Sequence, residues 1–182
     1  MLPEKEITKI SKFLSLVLRH QPEAIAISVD KNGWVSVDEL IQKSNAAGVK
    51  FDFAILNHVV ATNNKKRFAF NESLDKIRAS QGHSVEVELG YEPQMPPEIL
   101  YHGTEINNVA SILLTGLKKR QRQHVHLSRD TETAIKVGIR HGKPAVFEVY
   151  ALQMHNDGFK FFLSDNGVWL TDSVPSKYLN QQ

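Results

Sequence analysis

The 182-residue chain has no cysteine, only two tryptophans and three methionines, and charges that nearly cancel at +2. The lack of thiols excludes disulfides, thiolate zinc sites, iron–sulfur ligation and a cysteine nucleophile, and it fits a reducing compartment. No apolar run approaches the roughly 20 residues of a membrane span. The start MLPEKEITKI has acids where a secretory leader needs a basic flank and an apolar core. A cytoplasmic location without a membrane partner is therefore expected. What is present is ordinary globular material, with 41% hydrophobic and 23% charged residues, which argues against disordered, collagen-like and coiled-coil classes. A chain of 182 residues has room for one large domain or two small ones, and a monomer is expected.

Ile7, Ile10, Phe13, Leu14, Val17 and Leu18 recur at helical spacing and Pro22 marks a stop, so a helix from Ile7 to His20 closes on Arg19-His20. Gly33-Trp34-Val35 reads as a short strand, and Ser36 to Glu39 is a capping box that opens a helix to about Ala47. Asp52 can cap a third helix with Ile55, Leu56, Val59 and Val60 as its stripe, and Arg67 to Phe70 alternates like a strand. Helices followed by a short hairpin predict a winged-helix-like lobe over residues 1–90. Val85 to Leu89 alternates as a further strand, and GYEPQMPPE, with three prolines and a glycine in nine residues, is the candidate linker.

Residues 91–182 read as strand-rich with two helices. Ile99-Leu100-Tyr101 is strand-like, and Ile106, Val109, Ile112 and Leu113 form a helical stripe ending at Gly116. His124 to Leu127 is a short strand, and Asp130 or Ser128 can cap a helix to about Arg140. Ala145 to Tyr150 is a buried strand, while Asn166-Gly167 favours a hairpin between Phe159–Leu163 and Val168–Leu170. The fold class is α+β.

Four fragments carry chemistry. Arg19-His20 can make charge-assisted hydrogen bonds to a phosphate, although cations at a helix C-terminus also have a purely structural explanation. Lys65-Lys66-Arg67 enters a strand and could lie along a nucleic-acid backbone, or simply solubilise a hairpin tip. His102-Gly103-Thr104 leaves a strand, where the glycine permits close backbone approach, but it matches neither GxGxxG nor GxxxxGK[ST]. GLKKRQRQHVHLS, Gly116 to Ser128, carries four cations and no carboxylate. His124 and His126 share one side of a strand, yet spacing offers no third ligand, so no metal is expected. Arg140 lies between Gly138 and Gly142 at a helix end.

In this order the motifs SKFLSLVLRHQP, GWVSVDELI, KKRFAF, IRASQGHSVEVEL, LYHGT, GLKKRQRQHVHLSRD, VGIRHGKPAVFEV and NGVWLTDSVPSKYL resemble the RNA 2′-phosphotransferase family. The resemblance implies an N-terminal winged-helix-like RNA-binding lobe and a C-terminal NAD-binding lobe of the ADP-ribosyltransferase-like, mixed α/β type. It places the family's catalytic residues on Arg19, His20, Arg67 and Arg122, with Arg120 a competitor for the fourth place. NAD-binding positions fall on His102, Gly103, Thr104, Gly116, His126, Leu127, Ser128 and Arg140. Ser80 stands where asparagine would be expected, and Arg120 where methionine is commoner. The implied partners are an RNA with an internal 2′-phosphate, tRNA-like as in tRNA splicing, and NAD as co-substrate without a metal. Two other readings remain open. One is a one-step ADP-ribosyltransferase, for which Glu148 is a poorly placed glutamate in a buried-looking strand; the other is a non-catalytic nucleic-acid-binding module.

Overall fold

A computed structural model describes residues 3–182, the His141 side chain aside. The chain divides into two compact units whose boundary falls between Gly90 and Tyr91. Among the described residues no helix is long and apolar enough to cross a membrane.

The first unit opens with α1 (Glu4–Arg19), which buries Ile10, Leu14, Val17 and Leu18. It begins before the apolar periodicity because its first turn is exposed and held by acids, Glu4 and Glu6, that suit the positive end of a helix. β1 (Val35–Ser36) leads into α2 (Val37–Ala46), whose cap Ser36 accepts from the Glu39 amide. The capping box is only half made, since the Glu39 carboxylate accepts instead from the Ser28 amide at 3.2 Å. Asp52 caps α3 (Phe53–Ala61) through the Ile55 amide at 2.9 Å.

β2 (Phe68–Phe70) and β1 flank β3 (Lys76–Ala79) in one antiparallel sheet, with Ile77 facing Val35 on one side and Phe70 on the other. This adds one strand and corrects one expectation. The central strand is Lys76–Ala79, too short to stand out by alternation, and Val85 to Leu89 forms no ladder. Its amides have other duties: Ser84 and Val85 donate to the Arg19 carbonyl at the end of α1, and Glu88 donates to the Lys31 carbonyl. The helices and sheet close over a core containing Leu14, Leu18, Leu40, Leu56 and Ile77.

The second unit holds β4 (Leu100–Glu105), α4 (Val109–Thr115), β5 (Leu117–Lys118), β6 (Val125–Leu127), α5 (Thr131–Gly138), β7 (Pro144–Val149), α6 (Ala151–Asn156), β8 (Phe162–Leu163), β9 (Trp169–Thr171), β10 (Ser173–Val174) and β11 (Leu179–Gln181). They form antiparallel sheets ordered β11-β7-β4, β6-β9-β8 and β10-β5. A Tyr101↔Ser128 bridge ties the start of β4 to the residue after β6.

Here too the structure corrects details. β4 runs through His102-Gly103-Thr104, so this motif lies within a strand and not in the turn after it. Ile106 and Leu113 are 37% and 46% exposed, leaving Ile112 as the buried member of α4. α6 and β11 were not anticipated; Tyr178, just before β11, is buried and donates its hydroxyl to the Asp157 carboxylate. The result is a mixed α/β protein with six α-helices and several small antiparallel sheets among its described residues, consistent with α+β.

Candidate functional site

Two clusters collect the residues singled out above, one in each unit. In the first, the end of α1 and the entry to β2 are drawn together on one carbonyl. The Arg67 oxygen accepts from Arg19 Nη2 at 3.3 Å and from the Ser80 amide at 2.9 Å. The Arg19 guanidinium also lies 6.0 Å from the Phe68 ring centroid, within cation–π range. Arg67 is steered by Asn63, whose Oδ1 accepts from the Arg67 amide at 3.4 Å and from its Nη1 at 3.5 Å. Ser80 donates its hydroxyl to the Lys66 carbonyl at 2.9 Å, so serine at this position braces the turn that delivers Arg67.

His20 caps α1, and its Nδ1 lies 3.0 Å from Ser84 Oγ. The Ser84 hydroxyl is itself 3.4 Å from the Arg19 carbonyl, which can only accept. With the serine donating there, its oxygen accepts from Nδ1–H, which makes Nε2 the acceptor nitrogen of the neutral ring. Nearby, His83 is 1% exposed, and among the described residues neither of its ring nitrogens has a hydrogen-bond partner. Burial first, and then the charges of Arg19, His20 and Arg78, push it down from 6.5 to about 4. It is a neutral floor under a cationic site. Ser84, His83 and Asn63 carry no periodic signal; only the turn-forming Asn63-Asn64 pair marked one of them beforehand.

In the second unit, His102 Nδ1 donates to the His126 carbonyl at 3.0 Å, which fixes the tautomer and leaves Nε2 an acceptor in the neutral ring. Burial lowers the His102 pKa against that bond, with Arg122 and Arg120 acting in the same direction as burial. Arg122 Nη1 lies 2.5 Å from His126 Nδ1, so that ring is neutral in the opposite tautomer. The contact favours Arg122 over Arg120 as the arginine beside the HVHLS segment. Although exposed, Arg122 is desolvated by surrounding protein and feels the charge of Arg140, and both lower its pKa. Backbone bonds between Tyr101 and Ser128, at 2.9 and 2.7 Å, bring His102 alongside His126 and Ser128.

Other predicted positions have structural explanations. A Cβ on Gly103 would sit 1.7 Å from the Ala134 carbonyl, so the close approach that glycine permits is that of α5. Thr104 is buried and accepts from the Asn108 amide group at 3.2 Å. The Leu127 side chain belongs to the core, and its backbone pairs with Trp169 in the ladder. Gly116 ends α4 with φ +75° against the Val174 carbonyl, and Arg140 lies in a short 3-10 turn after α5. The Glu148 carboxylate accepts from Asn180 at 3.0 Å and Gln182 at 2.7 Å. Pairing Tyr101 with Glu148 and His102 with Phe147 puts Glu148 on the sheet face opposite His102.

Both clusters suit an anionic ligand with a fixed imidazole beside it, the arrangement expected of a transferase for phosphate-bearing substrates. The family model described as "RNA 2'-phosphotransferase, Tpt1 / KptA family" matches residues 5–173. The chain belongs to this family. It is 57% identical over 170 residues to a protein of Flavobacterium johnsoniae, covering 93% of each chain. It is 54% identical over 172 residues to one of Trichormus variabilis, covering 94% of each. With one of Fusobacterium nucleatum it shares 52% over 172 residues, 94% of this chain and 96% of the other. All three relatives are named "Probable RNA 2'-phosphotransferase".

Proposed function

We propose that the protein removes an internal 2′-phosphate from RNA by transferring it to NAD. The observation that carries this reading is that Arg19 donates to the carbonyl of Arg67 across 48 residues, both arginines line one groove, and His20 follows Arg19 at the end of α1. Like charges brought together in this way are stabilised by an anion, and arginine forks match two phosphoryl oxygens at once. We assign the transferred phosphate to Arg19, His20, Arg67 and Arg122. NAD recognition goes to His102, Thr104, Ser128 and Arg140, to the backbone around Gly103 and Leu127, and to His126 as the brace of Arg122; Gly116 shapes the loop that follows α4. The fixed Nε2 acceptor of His102 and the cation of Arg122 fit the hydroxyls and pyrophosphate of such a dinucleotide.

In the first step a 2′-phosphate oxygen displaces nicotinamide from the ribose carbon that bears it. The arginines offset the repulsion between the phosphate and the pyrophosphate and hold the attack in line. In the second step the ribose 2″-hydroxyl attacks phosphorus, the RNA 2′-oxygen leaves with a proton, and ADP-ribose 1″,2″-cyclic phosphate is released. His20, braced by Ser84 through Nδ1, supplies or takes the proton at Nε2. No step calls for a metal.

The first unit, three helices against a three-stranded antiparallel sheet, supports the winged-helix-like, RNA-binding assignment for residues 1–90. The small antiparallel sheets around His102 support the ADP-ribosyltransferase-like, NAD-binding assignment for residues 91–182. A monomer acting on tRNA-like RNA in the cytoplasm completes the reading. The test is to incubate the protein with NAD and a short RNA bearing one internal 2′-phosphate and to follow nicotinamide and RNA phosphate together. Nicotinamide release together with loss of the RNA phosphate supports the reading; nicotinamide release with the RNA phosphate retained would point to one-step ADP-ribosylation and overturn it.

A further inference from the structure

Along the first unit runs a groove of about 710 Å³ that ends at Arg19 and Arg67. One wall is a single face of α1, with Ser11, Lys12, Ser15 and Arg19 at helical spacing; the other carries His58, Asn64, Lys65 and Arg67. From Ser11 to Arg19 the helix rises about 12 Å at 1.5 Å per residue, a span of a few nucleotides. Cations predominate, and the one carboxylate, Glu4, lies on the first turn of α1, about 22 Å along the helix from Arg19. The wall is built in advance: Asn63 donates to Ser11 Oγ at 3.1 Å, while its carbonyl oxygen accepts from the Lys65 amide at 3.2 Å and from the Arg67 amide. One residue thus locks α1 to the loop that carries both cations.

The chemistry of the lining tells what it can read. Hydroxyls, amides and cations recognise phosphates and ribose hydroxyls, whereas base recognition in single strands relies on aromatic stacking platforms. Among the described residues the lining has no Phe, Tyr or Trp, and its one aromatic ring is that of His58. We propose that this groove holds the ribose-phosphate strand flanking the 2′-phosphate, and that it does so without base preference. The inference rests on the proposed transfer for its choice of RNA, and it extends that reading from the reacting phosphate to the length and sequence tolerance of the substrate.

The test compares a dinucleotide with an eight-nucleotide RNA, both carrying the same internal 2′-phosphate, in the wild type, in Lys12→Glu and in Lys9→Glu. Lys9 lies on the same helix and is exposed, but it is outside the groove lining. The wild type is expected to favour the octamer in KM, and Lys12→Glu to reduce that advantage about tenfold, while Lys9→Glu keeps it. Octamer binding followed by fluorescence anisotropy is expected to lose about one unit of salt slope in Lys12→Glu. Octamers with exchanged bases should bind within about threefold of one another. An octamer advantage that survives Lys12→Glu, equal losses in the two variants, or strong base preference would each overturn the groove assignment. If no phosphate is transferred at all, the proposed function fails while anisotropy still decides whether RNA occupies the groove.

Discussion

In the first unit the arginines are steered by backbone and amide oxygens, Arg19 by the Arg67 carbonyl and Arg67 by Asn63, and the nearby His83 is buried to neutrality. In the second unit the imidazoles are what is steered, His102 by the His126 carbonyl and His126 by Arg122, each in one tautomer. The difference teaches that similar residue types serve two tasks. One cluster presents fixed positive charge, suited to a phosphoryl group whose charge changes during reaction. The other presents neutral hydrogen-bonding rings beside Arg122, with Arg120 and Arg140 near enough to be felt, suited to a ligand that combines hydroxyls with phosphate.

The largest expected effect breaks the first cluster. Arg67→Lys keeps the charge but not the fork, and should lower phosphate transfer on the order of 100-fold, the scale of losing one transition-state donor. Single-turnover rates check this, and near-normal turnover would remove Arg67 from the catalytic set. Next comes the packing of the second unit. Gly103→Ala places a methyl group 1.7 Å from a backbone oxygen and should destabilise that unit by about 3 kcal/mol, measured by hydrogen exchange of β4 and α5. Unaltered exchange with lost NAD binding would mean that glycine serves the ligand and not the helix.

A comparable effect depends on pH. The unfolded chain protonates His83 near 6.5 while the folded one resists to about 4, so stability contributed by the neutral ring is lost as pH falls through that window, by about 3 kcal/mol in all. His83→Leu should flatten the acid limb of a denaturation series read by exchange in β3. An unchanged limb would show that the ring is solvated or partnered. The smallest effect sharpens the role of Ser84. Ser84→Ala removes the brace on His20 Nδ1 and should cost about three- to tenfold in kcat, with Ser84→Thr restoring it. The tautomer of His20, read from its ring ¹⁵N shifts, should change in the alanine variant alone.

Much of this is legible in the sequence alone. α1 and its terminal Arg19-His20 follow from apolar spacing, and Asp52 and Asp130 cap the helices they announce because a short side chain can reach the third amide. Val85 to Leu89 misled because alternation reports a two-sided segment, not a ladder; its amides serve the end of α1. Lys76 to Ala79 hid as the central strand because its alternation, exposed Lys76 and half-buried Arg78 against buried Ile77 and Ala79, lasts only four residues. Ser84 and His83 were invisible for a different reason. Ser84 matters through His20 and Arg19, 64 and 65 residues earlier, which no local pattern encodes.

The most direct test of the account follows the atom that moves. With ³²P in the internal 2′-phosphate of an RNA, and with NAD present, the label should leave the RNA and appear in ADP-ribose cyclic phosphate, one nicotinamide being released per phosphate. Label recovered as inorganic phosphate, or lost from the RNA without NAD, would contradict it.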